Sequence, residues 1–454
     1  MKRKTSRAKL VISVLLCAGI LAGCSAPAGN TSSNGSASQA AEEPSGTSQN
    51  SEYQEPPQDS QGVLKLSCMA NETEKIPLDE AIERFQERYP GVTVEPTYST
   101  GDSWQDYSSK LVVQMTAGNA PDIVGVAIEG TRMMVSKNVL EPLNSYLEND
   151  PDGAEMQEDI TQSTWDAFTV DGKIYEVPKD SNIVIMFYNT KMFEEAGITM
   201  DPDWTWEDFV DIAQQLTTGD GEDKVWGFMI RNNITSGYLP WLTTNNTNLL
   251  NPELTASNLT DPKVEESFQF MYDLVYKYKV APVPDAKTDL PNMFAAGRVA
   301  MIPTGMFVLP TFKDNNFTDY AIAPLPKKES HDASFGTGGL GIVRSCENKD
   351  LAWELVKEMT SAEFALRCAE LQTTLPVRKS AAESEAFQSI MPNVGLFYEE
   401  LEHASAFPCP NIYPDMTRIV TNAFDAMMTN QASAADALAA ADSELTKTFE
   451  DANN

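Results

Sequence analysis

A chain of 454 residues has room for two or three domains, and 42% hydrophobic with 22% charged residues is the composition of a globular protein. A formal net charge of −33 argues against a nucleic-acid partner, because phosphate repulsion would dominate. Only two histidines, His331 and His403, are present, which weighs against a zinc or Ser-His-Asp site, and glycine and proline recur without a period that would mark a repeat architecture.

The first nine residues are basic through Lys2, Arg3, Lys4, Arg7 and Lys9. Leu10 to Leu21 is apolar but short for a permanent membrane span, and it runs into Leu21-Ala22-Gly23-Cys24. Small residues followed directly by cysteine resemble a bacterial lipobox. That resemblance implies cleavage after Gly23 and acyl chains on Cys24, a firm anchor on the outer face of a cell membrane. Ser25 to Gln61 is polar, with almost no apolar content, and is expected to be a disordered tether with a reach on the order of 30 Å. Beyond Cys17 and Cys24, the cysteines Cys68, Cys346, Cys368 and Cys409 are too far apart to define a disulfide framework or a metal site.

The body opens with a short strand, Val63 to Ser67, then a helix from Leu78 to Tyr89 and a strand at Val92 to Val94. The loop after the first strand carries Asn71 and Glu72. In α/β sheets ligands sit beyond the carboxyl ends of strands, so Glu72 is either a ligand contact or a solvated loop carboxylate. Gly101 to Asp106 reads as a loop bearing Trp104, followed by a helix from Tyr107 to Met115. Asp171-Gly172 is a two-residue hairpin turn. Pro178 should stop the strand before it, and Ile183 to Tyr188 reads as a second strand buried on both faces. Lys179, Asp180, Ser181 and Asn182 would face the space at this crossing. Asn189 caps a helix that ends at Gly197, and Thr205 and Asp208 form a capping box. Val264 to Lys279 and Ala434 to Phe449 are amphipathic helices.

Several segments carry a resemblance. Ala120-Pro121-Asp122-Ile123, Gly172-Lys173 through Val177-Pro178 to Phe187-Tyr188-Asn189, Thr205-Trp206-Glu207-Asp208-Phe209, Phe294 to Met301 and Tyr320 to Pro326 occur in the order found in extracytoplasmic solute-binding proteins of ABC importers. The branch they resemble binds sugars and includes the maltose-binding proteins. The resemblance implies an α/β fold of two lobes, periplasmic-binding-protein-like and of class II type. Each lobe would be a mixed sheet flanked by helices, with a ligand cleft between them. It divides the chain into a leader (1–23), a tether (24–61), a first lobe (62–177 and 337–390) and a second lobe (178–336 and 391–454). It also implies a ligand site. Glu129 matches the acid of the maltose-binding relatives, while Val126 stands where their tryptophan would be. Tyr238 takes the place of a sugar-contacting tyrosine, and Phe307 that of a stacking tryptophan. Trp104, Trp241 and Tyr413 are further candidate platforms, with Trp241 equally able to pack inside. Glu72, Glu129, Asp180 and Asn182 would meet hydroxyls, and the glycines around Gly338 would let backbone approach a ligand.

The function this implies is capture of a carbohydrate, an oligosaccharide, and its delivery to an ABC permease by a monomeric, lipid-anchored, non-enzymatic protein without cofactor or metal. Two alternatives stand beside it. A glycoside hydrolase needs two acids at a fixed separation, and no pair here is so placed by sequence. A lipoprotein that senses a ligand for a membrane receptor would share the fold. The glycine run Gly336 to Gly341 lacks the Gly-Lys-Ser/Thr of a phosphate loop, and Asp220, Glu222 and Asp223 lack the alternating ligands of a calcium loop.

Overall fold

The computed structural model describes residues 53–452 apart from 102 and 286. The leader, Cys24 and most of the expected tether therefore lie outside the described residues. Among the described residues, no helix is long and apolar enough to cross a membrane.

The chain begins as expected, alternating strand and helix: β1 (Gly62–Met69), α1 (Glu72–Arg88), β2 (Val92–Ser99), α2 (Trp104–Thr116), β3 (Ile123–Ala127) and α3 (Ile128–Ser136). β1 lies between β2 and β3, parallel to both. α1 starts six residues earlier than its apolar spacing predicts. The Asn71 side chain accepts from the N–H groups of Thr73 and Glu74, while Glu74 reaches back to the Asn71 N–H at 2.8 Å. This capping box nucleates the helix ahead of Pro77. Glu72 is thus the first residue of a helix and not part of an open loop. Trp104 likewise belongs to a helix, because Ser103 caps α2.

The hairpin β4 (Thr169–Val170) and β5 (Lys173–Ile174) turns through Asp171 and Gly172, both at positive φ (51° and 73°), as a tight two-residue turn requires. Pro178 does not stop the next strand. β6 (Val177–Asn189) runs through it for 13 residues. Pro178 faces Gly339, where the register with the neighbouring strand shifts, so its missing N–H falls at an irregularity in the ladder. β7 (Trp226–Phe228), β8 (Val299–Thr304), β9 (Tyr320–Ala323), β10 (Ser334–Ile342) and β11 (Ser405–Ala406) complete the sheet. Its order is β2-β1-β3-β10-β6-β8-β7, with β11 beside β10 and β9 beside β6.

β6 and β10 join two bodies of core. Val177 to Val184 pairs antiparallel with β10, and Ile185 to Tyr188 pairs with β8. On one side, Leu64, Leu66, Phe85, Trp353 and Leu340 pack in one apolar cluster, beside a smaller cluster around Tyr107 and Val126. On the other, Phe187, Trp204, Phe209, Phe228, Trp241 and Phe294 belong to a second large cluster, closed by the helices Tyr413–Met428 and Ala434–Ala452. The two bodies are the lobes of a two-lobe α/β fold.

Order reaches further toward the amino terminus than composition predicts. The Tyr53 hydroxyl donates to Glu354, whose side chain has no exposed surface. Arg88 and Lys357 each pair with that carboxylate at 3.0 Å, and the Tyr53 ring stands 5.9 Å from Tyr146. Cys68, Cys346, Cys368 and Cys409 are all buried free thiols. Replacing Tyr53 with alanine removes a donor from a buried carboxylate and should cost about 1–3 kcal/mol of stability. Urea unfolding of Tyr53→Ala checks this. A midpoint equal to wild type would mean that the segment does not brace the lobe.

Candidate functional site

The crossing strands floor a cavity of about 290 Å³ between the lobes. Met69 at the end of β1, Glu74 and Pro77 of α1, Trp104 of α2 and Glu129 of α3 wall it from the first lobe. Thr235 and Phe307 wall it from the second. Lys179, Asp180 and Asn182 of β6 and Gly336, Thr337 and Gly338 of β10 form its base, and Leu78, Ala127, Phe364, Cys368, Thr373, Thr374 and Phe407 complete the lining.

The base is built by close approach. The Thr337 hydroxyl donates to the Asp180 carbonyl at 2.6 Å, and the Ser181 hydroxyl to the Gly336 carbonyl at 3.1 Å. A Cβ on Gly338 would stand 2.9 Å from Asp180 Oδ1, and one on Gly336 2.7 Å from the Phe407 ring. Two glycines thus let a carboxylate and a phenyl ring lie directly against the strand. Lys179 donates to Asp180, and its Nζ stands 5.9 Å from the centre of the Phe364 ring. Burial works against the Lys179 ammonium, but Asp180 more than offsets it, and its pKa lies above the ordinary lysine value.

Two acceptors in this cavity have no partner: Glu129 Oε2 and Asn182 Oδ1, both sealed from solvent. Burial pushes the Glu129 pKa up to about 7, its own backbone N–H offsetting only part of that. A second inter-lobe cavity, about 830 Å³, lies on the far side of Phe407, the one side chain that lines both.

Six of the residues expected from sequence meet at this place: Trp104, Glu129, Asp180, Asn182, Phe307 and Gly338. Phe307 is 46% exposed, on a short turn after Gly305, as a cleft wall should be. Four do not meet there. Glu72 points to solvent and pairs with Lys75. Tyr238 has no exposed surface. It donates to Asn232 and packs its ring 4.5 Å from Phe424. Trp241 also has none, surrounded by Trp206, Phe209, Phe228 and Phe270. Tyr413 is buried at the start of its helix, next to Cys409 and Glu129, and burial raises its pKa well above the usual value. The cause at Tyr238 is a π-helical turn, Ile234–Tyr238, which presents Thr235 to the cavity and carries Tyr238, three residues on, into the core.

Glu74, Thr235, Phe364, Thr373, Thr374 and Phe407 are cavity residues the sequence reading did not name. For Glu74 a signal existed: Asn71-x-x-Glu74 is itself a capping box and would have placed the helix start. Phe407 lies six residues before Tyr413, the one candidate named in that region. Thr373 and Thr374 lie in a connection that carries no motif.

Two lobes, two shared strands and an aromatic-walled cavity above them define a protein built to bind a small solute in an inter-lobe cleft. The chain belongs to the bacterial extracellular solute-binding proteins, whose family model matches residues 70–365. A binding protein of Brucella abortus (strain 2308) is 24% identical over 401 residues, 83% of this chain and 93% of that one. The arabinooligosaccharide-binding protein of Halalkalibacterium halodurans is 23% identical over 304 residues, 63% of this chain and 65% of that one. In fold, the chain is similar to the ABC substrate-binding protein Lmo0181 of Listeria monocytogenes, solved with cycloalternan. The TM-score is 0.76 at 23% identity, over 86% of this chain and 100% of that one. These relatives are binding proteins, not enzymes.

The Glu129 carboxyl gives a pH test. Its pKa in the folded chain, about 7, lies above the ordinary 4.5, so the folded state holds this proton more tightly than the unfolded state. Its contribution to stability is full below about 4.5, falls as pH rises toward about 7, and is level above that. Glu176, buried against Thr131 and also raised in pKa, adds a slope of the same sign. The difference between wild type and Glu129→Gln isolates the first group. The variant should gain stability relative to wild type as pH rises from 5 to 8, measured by thermal unfolding; a constant difference would show that Glu129 stays ionised in the fold.

Proposed function

We propose that this protein captures a carbohydrate in the inter-lobe cleft and hands it to an ABC permease, anchored to the outer face of a cell membrane through acyl chains on Cys24. The observation that carries the reading is the pairing of aromatic walls with sealed acceptors. Phe307, Trp104 and Phe407 offer apolar faces, and Glu129 and Asn182 offer oxygens that nothing in the protein satisfies. Sugar rings present C–H faces and hydroxyl donors together, which is the complement of such a site. Relatives that bind oligosaccharides support the ligand class, and membership in an extracellular solute-binding family supports the transport role.

The mechanism follows from the shared strands. A ligand touching Phe307 on one lobe and Glu129 on the other gains contacts only when the lobes are together, so it favours the closed form by that difference in affinity. The closed form is the species a permease would recognise. The chain acts as a monomer, with the lobe boundaries near Pro178, Gly338 and residue 390. In this reading no bond of the ligand is made or broken: Asp180 is neutralised by Lys179, and Glu74 is tied to the Asn71 N–H at the start of α1.

A thermal-shift screen against oligosaccharides identifies the ligand, since a sugar at a hundred times its dissociation constant adds about 2.7 kcal/mol. With that ligand, Phe307→Ala should weaken binding by about 1–3 kcal/mol, read by calorimetry, and leave unfolding of the free protein nearly unchanged. Unchanged affinity, or a loss of stability of about 3–5 kcal/mol, would place Phe307 in the core and undo the site built around it.

The anchor has its own test. Cys24→Ala should release the protein from membranes or leave the uncleaved precursor, and mass spectrometry of the wild-type amino terminus should find acyl chains on Cys24. Finding none there would overturn the anchor.

A further inference from the structure

The cavity wall carries four ionisable groups besides the Cys368 thiol, and three of them are already engaged. Lys179 and Asp180 neutralise one another, and Glu74 accepts the Asn71 backbone N–H at the start of α1. Glu129 alone has an oxygen sealed from water without a partner. Its neighbours on the opposite lobe, the Cys409 thiol and the Tyr413 phenol, are held neutral by burial. Arg132, one turn further along α3, lines the second cavity and not this one. The cavity therefore holds two carboxyls without a cationic partner, Glu74 and Glu129, of which only Glu129 has a sealed oxygen without a donor, and no uncompensated cation.

The rest of the wall points the same way. Trp104, Phe307 and Phe407 line it with aromatic rings, whose faces attract cations most strongly where water is excluded. Phe364 already has one over it, the Lys179 ammonium. Asn182 Oδ1 is a second acceptor awaiting a donor. A neutral polyol can donate to both acceptors but leaves the carboxylate charge buried. A phosphorylated sugar would set its charge against Glu129 and Glu74.

Resting on the sugar-binding reading above, we propose that the cleft selects sugars bearing a protonated amine, and that Glu129 is the group that reads the amine. The ammonium donates to Glu129 Oε2 and lies among the rings, while the hydroxyls of the same sugar satisfy Asn182. Where Glu129 is protonated before binding, its proton leaves to solvent as the ammonium arrives.

Calorimetry at pH 7 on the mature chain tests this with matched sets: glucose, glucosamine and glucose 6-phosphate; galactose, galactosamine and galactose 1-phosphate; cellobiose and the β-1,4 dimer of glucosamine. In the best-bound set, the amine should bind at least about tenfold tighter than its neutral partner, the advantage of a charge-assisted contact over a neutral one. Glu129→Gln should bring the two affinities together. Its thermal unfolding, expected at or above the wild-type temperature, verifies that it folds. Neutral sugars binding as tightly as their amines would overturn the proposal and leave the sugar-binding reading in place. A preference that survives Glu129→Gln would overturn the role given to Glu129. Tightest binding of a phosphorylated member would overturn the proposal and leave a carbohydrate ligand in place, and binding of none would overturn both readings.

Discussion

The structure depends on the pairing of β6 with β10. These two antiparallel strands belong to both lobes at once. Val177 and Leu340 sit in the first core, and Ile183 and Phe335 in the second. Gly336, Gly338 and Gly339 lie where a Cβ would strike Phe407, Asp180, or Glu176 and Phe168, so a slip by one residue would drive side chains into these groups, and the register of the crossing is fixed. Everything that meets at the cleft is positioned from it. Asp180 and Asn182 stand on one strand, Gly336 and Gly338 face them on the other, and the lobes supply only the walls.

That arrangement explains why the floor of the cleft is so poor in side chains. β10 presents glycine at 336, 338, 339 and 341. Where a Cβ would stand, the structure places Phe407, the Asp180 carboxylate, or Glu176 and Phe168. Each substitution would push away a group that another element has brought to the strand. Flatness of the floor is therefore a packing requirement of both lobes as much as a concession to a ligand.

Polar groups at the site are arranged against the usual rule that buried oxygens find donors. Glu129 and Asn182 keep sealed acceptors unsatisfied, and burying them carries a cost the free protein bears. On the proposed reading, a ligand that brings donors would relieve it. The Lys179–Asp180 pair is the contrasting case: its charges are matched within the protein and contribute shape more than attraction.

Sequence alone determined what depends on neighbours along the chain. Caps at Asn189 and Thr205, the Asp171-Gly172 turn and the apolar strand from Ile183 could be read because local hydrogen bonds and side-chain periodicity are encoded within a few residues. The order of motifs carried the two-lobe family and six of the cavity residues. Tertiary structure alone decided which face of each element the cleft would see. Tyr238 and Thr235 lie within one short stretch, yet a π-helical turn sends one into an aromatic core and the other to the cavity. Pro178 stays in a strand because its partner, Gly339, lies at a register shift more than 150 residues away in the sequence. Phe407 enters the site only because β11 docks beside β10. Contacts between segments this far apart are set by how two cores close on a shared pair of strands, and no local pattern of residues contains that information.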